Sequence, residues 1–169
     1  VRYDINDVVE VVGRYRNTPE IVFCHKGGNM ISYTGEKLGE SHVVKAVGFA
    51  QEKLGIELAG FCVTVRTDSA LPRYIFAVEP RQDLEGDQLK RLLHACEQGL
   101  QAANIEYAAK RESMRLDQPW LQVVCKGAFD ELRKKRLATG SFDSHVKIPH
   151  LERDPGAVER MGIERTVTW

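Results

Sequence analysis

In the stretch Gly27 to Glu40, GGNMISYTGEKLGE, Glu36 and Lys37 stand between Gly35 and Gly39. Two glycines ahead of an apolar run let the backbone reverse, and a second tight turn then presents Lys37 between a short strand and the start of a helix. An ammonium on such a loop is exposed and aimed, which suits it to a small anion. Spacing alone leaves open the alternative that Glu36 and Lys37 are ordinary polar loop residues. Glu36 and Glu40 lie near a helix start, where the macrodipole already favours carboxylates.

The usual catalytic constellations do not occur. There is no Walker loop, GxSxG elbow, HExxH or GxGxxG, and Gly27-Gly28 is too short to cradle a phosphate alone. His25, His42, His94, His145 and His150 are dispersed, and each reads as a surface or satisfied side chain. Cys24, Cys62, Cys96 and Cys125 each sit in an apolar run without a CxxC pair, and so read as buried reduced thiols. Lys plus Arg and Asp plus Glu both number 24, so no global field draws the chain to nucleic acid or an acidic membrane. The cations Arg133, Lys134, Lys135 and Arg136 read as a solvated helix C-terminus rather than a nucleic-acid footprint. No signal-peptide pattern or membrane-length apolar run occurs, which with reduced cysteines predicts the cytoplasm. The chain opens Val1-Arg2-Tyr3 directly before a strand pattern, and so reads as a piece of a longer protein.

The elements that must position Lys37 follow from periodicity. A length of 169 residues with 43% hydrophobic content supports one domain with an ample core. The runs Asp7 to Gly13 and Glu20 to His25, joined by a polar turn containing Pro19, predict a hairpin. Asn29 to Tyr33 reads as a short strand, and Val43, Val47, Ala50 and Leu54 lie on one face of a helix over 40–54 that Gly55 stops. Leu58 to Arg66 and Arg73 to Glu79 alternate as two antiparallel strands about the turn TDSALP. Leu84 to Ala103 carries a helical stripe, Trp120 to Cys125 a strand, and Ala128 to Leu137 a short helix. From Asn29 onward this is an α+β order, strand, helix, strand, strand, helix, strand. It predicts an antiparallel sheet with a ferredoxin-like split β-α-β core, both helices on one face, and the hairpin as an N-terminal addition. Phe61, Val63, Val65, Phe76, Val78, Val47, Leu93 and Val123 are the expected core.

A series of short motifs carries a resemblance. Tyr3-Asp4-Ile5-Asn6-Asp7-Val8-Val9 resembles the segment that joins the large and small domains of adenylate-forming enzymes. It is followed in order by Thr18-Pro19, Thr34-Gly35-Glu36-Lys37, the Thr67 to Ile75 stretch, Tyr107 with Arg111, Gly127 to Leu132, and Ser141 to Pro149 with Lys147-Ile148-Pro149. Over nearly the whole chain this is similar to the C-terminal domain of the auxin-responsive-promoter family of acyl-acid amido synthetases. Asp4, Asn6, His145, Val146 and His150 depart from the common pattern, which implies a divergent, bacterial-type member and leaves the substrate class open.

The resemblance implies a lid domain spanning 1–169, with 1–7 as hinge remnant, of a ligase whose large adenylating domain precedes it. Such an enzyme uses ATP and Mg²⁺ to turn a carboxylic acid into an acyl-adenylate, then transfers the acyl group to an amine, usually an amino acid. The large domain would hold most of the nucleotide and metal. Carried over to this chain, Asp7 accepts the ribose hydroxyls, Lys147 reaches the α-phosphate, and Lys37 lies near the nucleotide as the second catalytic lysine. The alternatives are the small domain of a phenylacetate-type acyl-coenzyme A ligase, which differs in the acceptor, and a binding or assembly module without chemistry.

Overall fold

The described residues open on a two-stranded hairpin and continue into a sheet covered on both faces. The computed structural model describes residues 7–26, 30–138 and 148–169. Strands β1 (Asp7–Tyr15) and β2 (Thr18–Lys26) pair antiparallel, Tyr15 opposite Thr18, as their β-branched runs predict. One face of this hairpin sets Val9 opposite Phe23 and Val11 opposite Ile21, and all four side chains are exposed.

Two-residue strands β3 (Met30–Ile31) and β4 (Leu38–Gly39) then pair with each other and bring the turn that holds Lys37 up to helix α1 (Glu40–Leu54). Gly55, at φ +64°, ends that helix in the left-handed conformation that glycine adopts freely.

Four strands form the main sheet in the order β5 (Leu58–Arg66), β6 (Arg73–Pro80), β7 (Trp120–Val124), β8 (Ile163–Val167). Neighbours β5 and β6 are antiparallel, β6 and β7 parallel, and β7 and β8 antiparallel. The parallel pair is joined over the sheet by α2 (Gly86–Ala103) and α3 (Ile105–Glu112), the long connection that parallel neighbours require. The α+β class, the hairpin and both long helices on one face are as the sequence predicts.

Sheet membership departs from the expected split arrangement. The strand expected at Asn29 to Tyr33 is only two residues long and stays with β4, so nothing inserts between β6 and β7. Strand β8 supplies the fourth member instead. Only Val167 of its five residues is buried, so its apolar alternation is too weak to read.

Val63, Val65, Tyr74, Phe76, Val78 and Leu121 project towards Val43, Val47, Leu92, Leu93 and Leu100 of the two helices and are fully or almost fully buried. Of the expected core, Phe61 and Val123 are only half-buried. The opposite face is covered as well. Cys62, Ala77 and Val124 pack against Phe129 of α4 (Ala128–Ala138) and Val158 of α5 (Pro155–Glu159). The second layer explains why residues 74–79 are buried without alternation, the mark of a strand covered on both sides. Cys62 and Cys96 are buried as expected, whereas Cys125, at the end of β7, is exposed. Among the described residues no helix is long and apolar enough to cross a membrane.

Helices α1 and α2 meet at Gly99, where an added Cβ would lie 2.7 Å from the Ala46 carbonyl oxygen and 2.8 Å from its Cα. Alanine in a helix interior is intrinsically better than glycine by about 1 kcal/mol. Here overpacking against backbone costs more, about 1–3 kcal/mol. Gly99→Ala is therefore expected to lower stability in urea denaturation despite its better propensity. A stabilised variant would show that the helices separate freely.

Candidate functional site

The turn that carries Lys37 is built on a buried carboxylate. Glu36 is 0% exposed. Its Oε1 accepts from the Tyr33 N–H at 3.0 Å and from the Tyr74 hydroxyl, and its Oε2 accepts from the Thr34 N–H at 2.8 Å and the Thr34 hydroxyl at 3.0 Å. These donors are all uncharged. The Glu36 carbonyl is held in addition by Asn104 Nδ2 at 2.9 Å. Burial pushes the carboxyl pKa up, but the hydrogen bonds from Tyr33, Tyr74 and Thr34 outweigh it and hold Glu36 below its ordinary 4.5.

With Glu36 turned inward, its neighbour turns outward. Gly35 has φ +99° and Lys37 φ +47°, so two left-handed residues flank the anchor. A side-chain-bearing residue there costs about 1–2 kcal/mol, which the hydrogen bonds of Glu36 offset. The Lys37 N–H donates to Ser32 Oγ at 3.4 Å, and its side chain is exposed. Lys110 of α3 packs over the same turn, its Nζ 3.8 Å from where a Gly35 Cβ would lie.

The Tyr74 ring meets Tyr107 edge-on, with centroids 5.4 Å apart. The Tyr107 hydroxyl donates to Glu97 Oε2 at 2.5 Å, while Arg111 Nε and Gln101 Nε2 donate to Glu97 Oε1 at 2.7 and 2.8 Å. Arg111 Nη1 also donates to the Leu116 carbonyl. Burial raises both phenols, and the neighbouring carboxylates add to it, Glu36 for Tyr74 and Glu97 for Tyr107. Both tyrosines are therefore donors at all ordinary pH. Asn104 joins the two groups, since its Oδ1 also accepts from the Tyr107 N–H at the start of α3.

A second anchor lies three residues beyond Lys37. Glu40 Oε1, at the start of α1, accepts from the His150 N–H at 2.6 Å. The His150 ring stacks on Phe61 with centroids 4.2 Å apart, and Nδ1 lies 3.1 Å from the Phe61 carbonyl. Val63 bonds on either side, its N–H to the His150 carbonyl at 2.8 Å and its carbonyl to the Glu152 N–H at 2.7 Å. Arg153 Nη2 reaches back to the Met30 carbonyl at 3.0 Å.

Of the residues expected from sequence, Lys37 is therefore placed on a fixed, outward-facing turn. Lys147 lies outside the described residues, but the chain just after it is tied to Glu40. Asp7 begins β1 opposite Lys26, and its side chain is outside the described part. Sequence reading did not identify Glu36 as an anchor, nor Tyr74 and Asn104 as its partners. The available signal was a tyrosine at a core-facing strand position, where its hydroxyl must find a partner. Among the described residues no group of three His, Cys, Asp or Glu side chains is placed to hold a metal ion.

A family model described as the GH3 family C-terminal domain matches residues 41–156, more than half of the chain. The chain belongs to the GH3 family. The match includes Tyr74, Glu97, Tyr107, Arg111 and Lys147 and begins just after Lys37. Jasmonoyl-L-amino acid synthetase GH3.5 from Oryza sativa subsp. japonica is 27% identical over 172 residues, covering 99% of this chain and 29% of its own length. Indole-3-acetic acid-amido synthetase GH3.15 from Arabidopsis thaliana is also 27% identical, over 88% of this chain and 26% of its own. A solved structure of GH3.15 acyl acid amido synthetase superposes with a TM-score of 0.80 at 24% identity, over 97% of this chain and 32% of the other, and shares its fold. The chain thus spans under a third of the length of these relatives. They are plant proteins, and the expectation of a bacterial-type member draws no support from them.

The depressed pKa of Glu36 fixes a sign. The unfolded chain takes up this proton at higher pH than the folded one, so the stabilisation is complete above about pH 4.5 and is lost as pH falls through the lower folded value. Glu36→Gln turns an NH₂ group towards donors and should cost about 1–3 kcal/mol at neutral pH. Its melting temperature should also fall less steeply than that of the wild type below about pH 4.5, as thermal scans across that range would measure.

Proposed function

We propose that this chain is the C-terminal lid domain of an ATP-dependent acyl-acid amido synthetase. The observation that carries the reading is the position of Lys37, exposed on a braced turn and three residues from the Glu40–His150 contact that anchors the segment after Lys147. Membership of the GH3 family and the amide-forming names of the relatives support it. In this reading residues 1–7 are the hinge to a large adenylating domain, and the enzyme works in the cytoplasm.

The reaction starts with attack of a substrate carboxylate oxygen on the α-phosphorus of ATP. The bond to the β,γ-phosphate breaks, pyrophosphate leaves, and an acyl-adenylate remains. The amine of an amino acid then attacks the acyl carbon and AMP leaves. Mg²⁺ bound with the nucleotide would neutralise phosphate charge, and the adenylating domain would supply most of its ligands. Lys147 reaches the α-phosphate as charge builds there, Lys37 supports it, and Asp7 accepts the ribose hydroxyls.

A unit charge about 4 Å from the phosphate in an effective dielectric near 20 is worth roughly 4 kcal/mol before desolvation. A net transition-state share of about 1.5–3 kcal/mol corresponds to roughly ten- to a hundredfold in rate. In the full-length enzyme Lys147→Ala should slow acid-dependent pyrophosphate release by that factor, with a smaller loss for Lys37→Ala. A Lys147→Ala rate within about twofold of wild type would remove the assignment. Products scored with an amino acid against coenzyme A as acceptor separate amide from thioester formation. The chain alone, lacking a phosphate loop and base pocket, should show no tight ATP binding by calorimetry.

A further inference from the structure

We infer that Glu36 and Tyr74 are positioning residues for Lys37, acting by fixing the backbone from which its ammonium projects. This rests on the reading of Lys37 given above. A carboxylate buried at 0% exposure, with both oxygens occupied by donors of the protein, offers no oxygen to a ligand outside, and its donors hold the turn in one arrangement. Two of its donors, the Tyr33 and Thr34 N–H groups, belong to the turn itself. The Tyr74 hydroxyl is the link to the rigid sheet, and Asn104, which caps the start of α3, fixes the Glu36 carbonyl. The residue after this doubly held peptide is Lys37, in a left-handed conformation that a free chain seldom populates.

Tyr74 is itself immobilised. It is fully buried on β6, opposite Val65 and edge-on to Tyr107, whose hydroxyl is tied to the Glu97–Arg111 pair. Tyr74→Phe therefore keeps the ring and its packing and deletes only the donor. The turn loses its attachment to the sheet while the core stays filled.

The test is a double-mutant cycle of Tyr74→Phe and Lys37→Ala in the full-length enzyme, scored by acid-dependent pyrophosphate release. Thermal melts normalise for folded protein, and amide exchange is followed over 33–37 and over α2. Tyr74→Phe should lower the turnover number by about five- to tenfold with the KM for the acid little changed. It should have no further effect in the Lys37→Ala background, and exchange should accelerate over 33–37 but not over α2. Effects of the two substitutions that multiply would overturn the inference, because Tyr74 would then act independently of Lys37. So would unchanged exchange in the turn, since the hydroxyl would not be fixing it. In both cases a wild type that releases pyrophosphate leaves the functional reading intact. A wild type without acid-dependent release defeats that reading and this inference together.

Discussion

Much of this fold is conditioned by a carboxylate that has been taken out of water and satisfied by neutral donors. Burying an ionised group costs several kcal/mol unless its lone pairs are met, and Glu36 meets them with groups from the turn and from β6. Its own peptide is held from the start of α3. The arrangement therefore forms only when the sheet and the helical crossover are both in place. Conversely, the position of an exposed lysine is set by contacts in the interior. The Tyr107, Glu97 and Arg111 group extends the same logic one layer further, with a charged donor now added to the carboxylate's neutral ones.

Covering both faces of the sheet makes that interior rigid. Helices α1 and α2 approach closely enough at Gly99 that a methyl group has no room, and on the other face the Phe129 ring occupies the space above Gly60. Glu79 joins this second layer to the sheet, accepting from the Gly127 and Phe129 N–H groups at the start of α4. Its carboxylate occupies the position where a helix N-terminus favours negative charge.

The long periodic elements were legible because their signal is local. The stripe of Leu89, Leu92, Leu93, Cys96 and Leu100 specifies α2, and the alternation of Val63 and Val65 specifies one face of β5. What lay outside local reach was set by long-range pairing. The Tyr74 hydroxyl and Glu36 are 38 residues apart in the chain, and His150 is 110 residues from Glu40. Neither contact has a periodicity to betray it. Helix α3 was missed because it has eight residues and a single buried side chain, Tyr107. Tyr107 and Arg111 were nonetheless visible as a motif pair, and the structure explains their joint appearance by their shared partner, Glu97. Lys37 was legible as an exposed turn lysine, whereas the burial of the residue before it was not.

Among the described residues strand β5 is an outer strand of the four-stranded sheet, with only β6 as a sheet neighbour. Its free side would offer unpaired N–H and carbonyl groups to any passing extended chain, the usual route to edge-to-edge association. The segment around Leu151 occupies that side at Val63, taking both of its main-chain groups. The stretch that follows Lys147 in sequence is thus also the cap on an open sheet. A protease cut just before Ile148 would do more than detach a lysine. It would loosen a guard and leave the main-chain N–H and carbonyl of Val63 open on an outer strand.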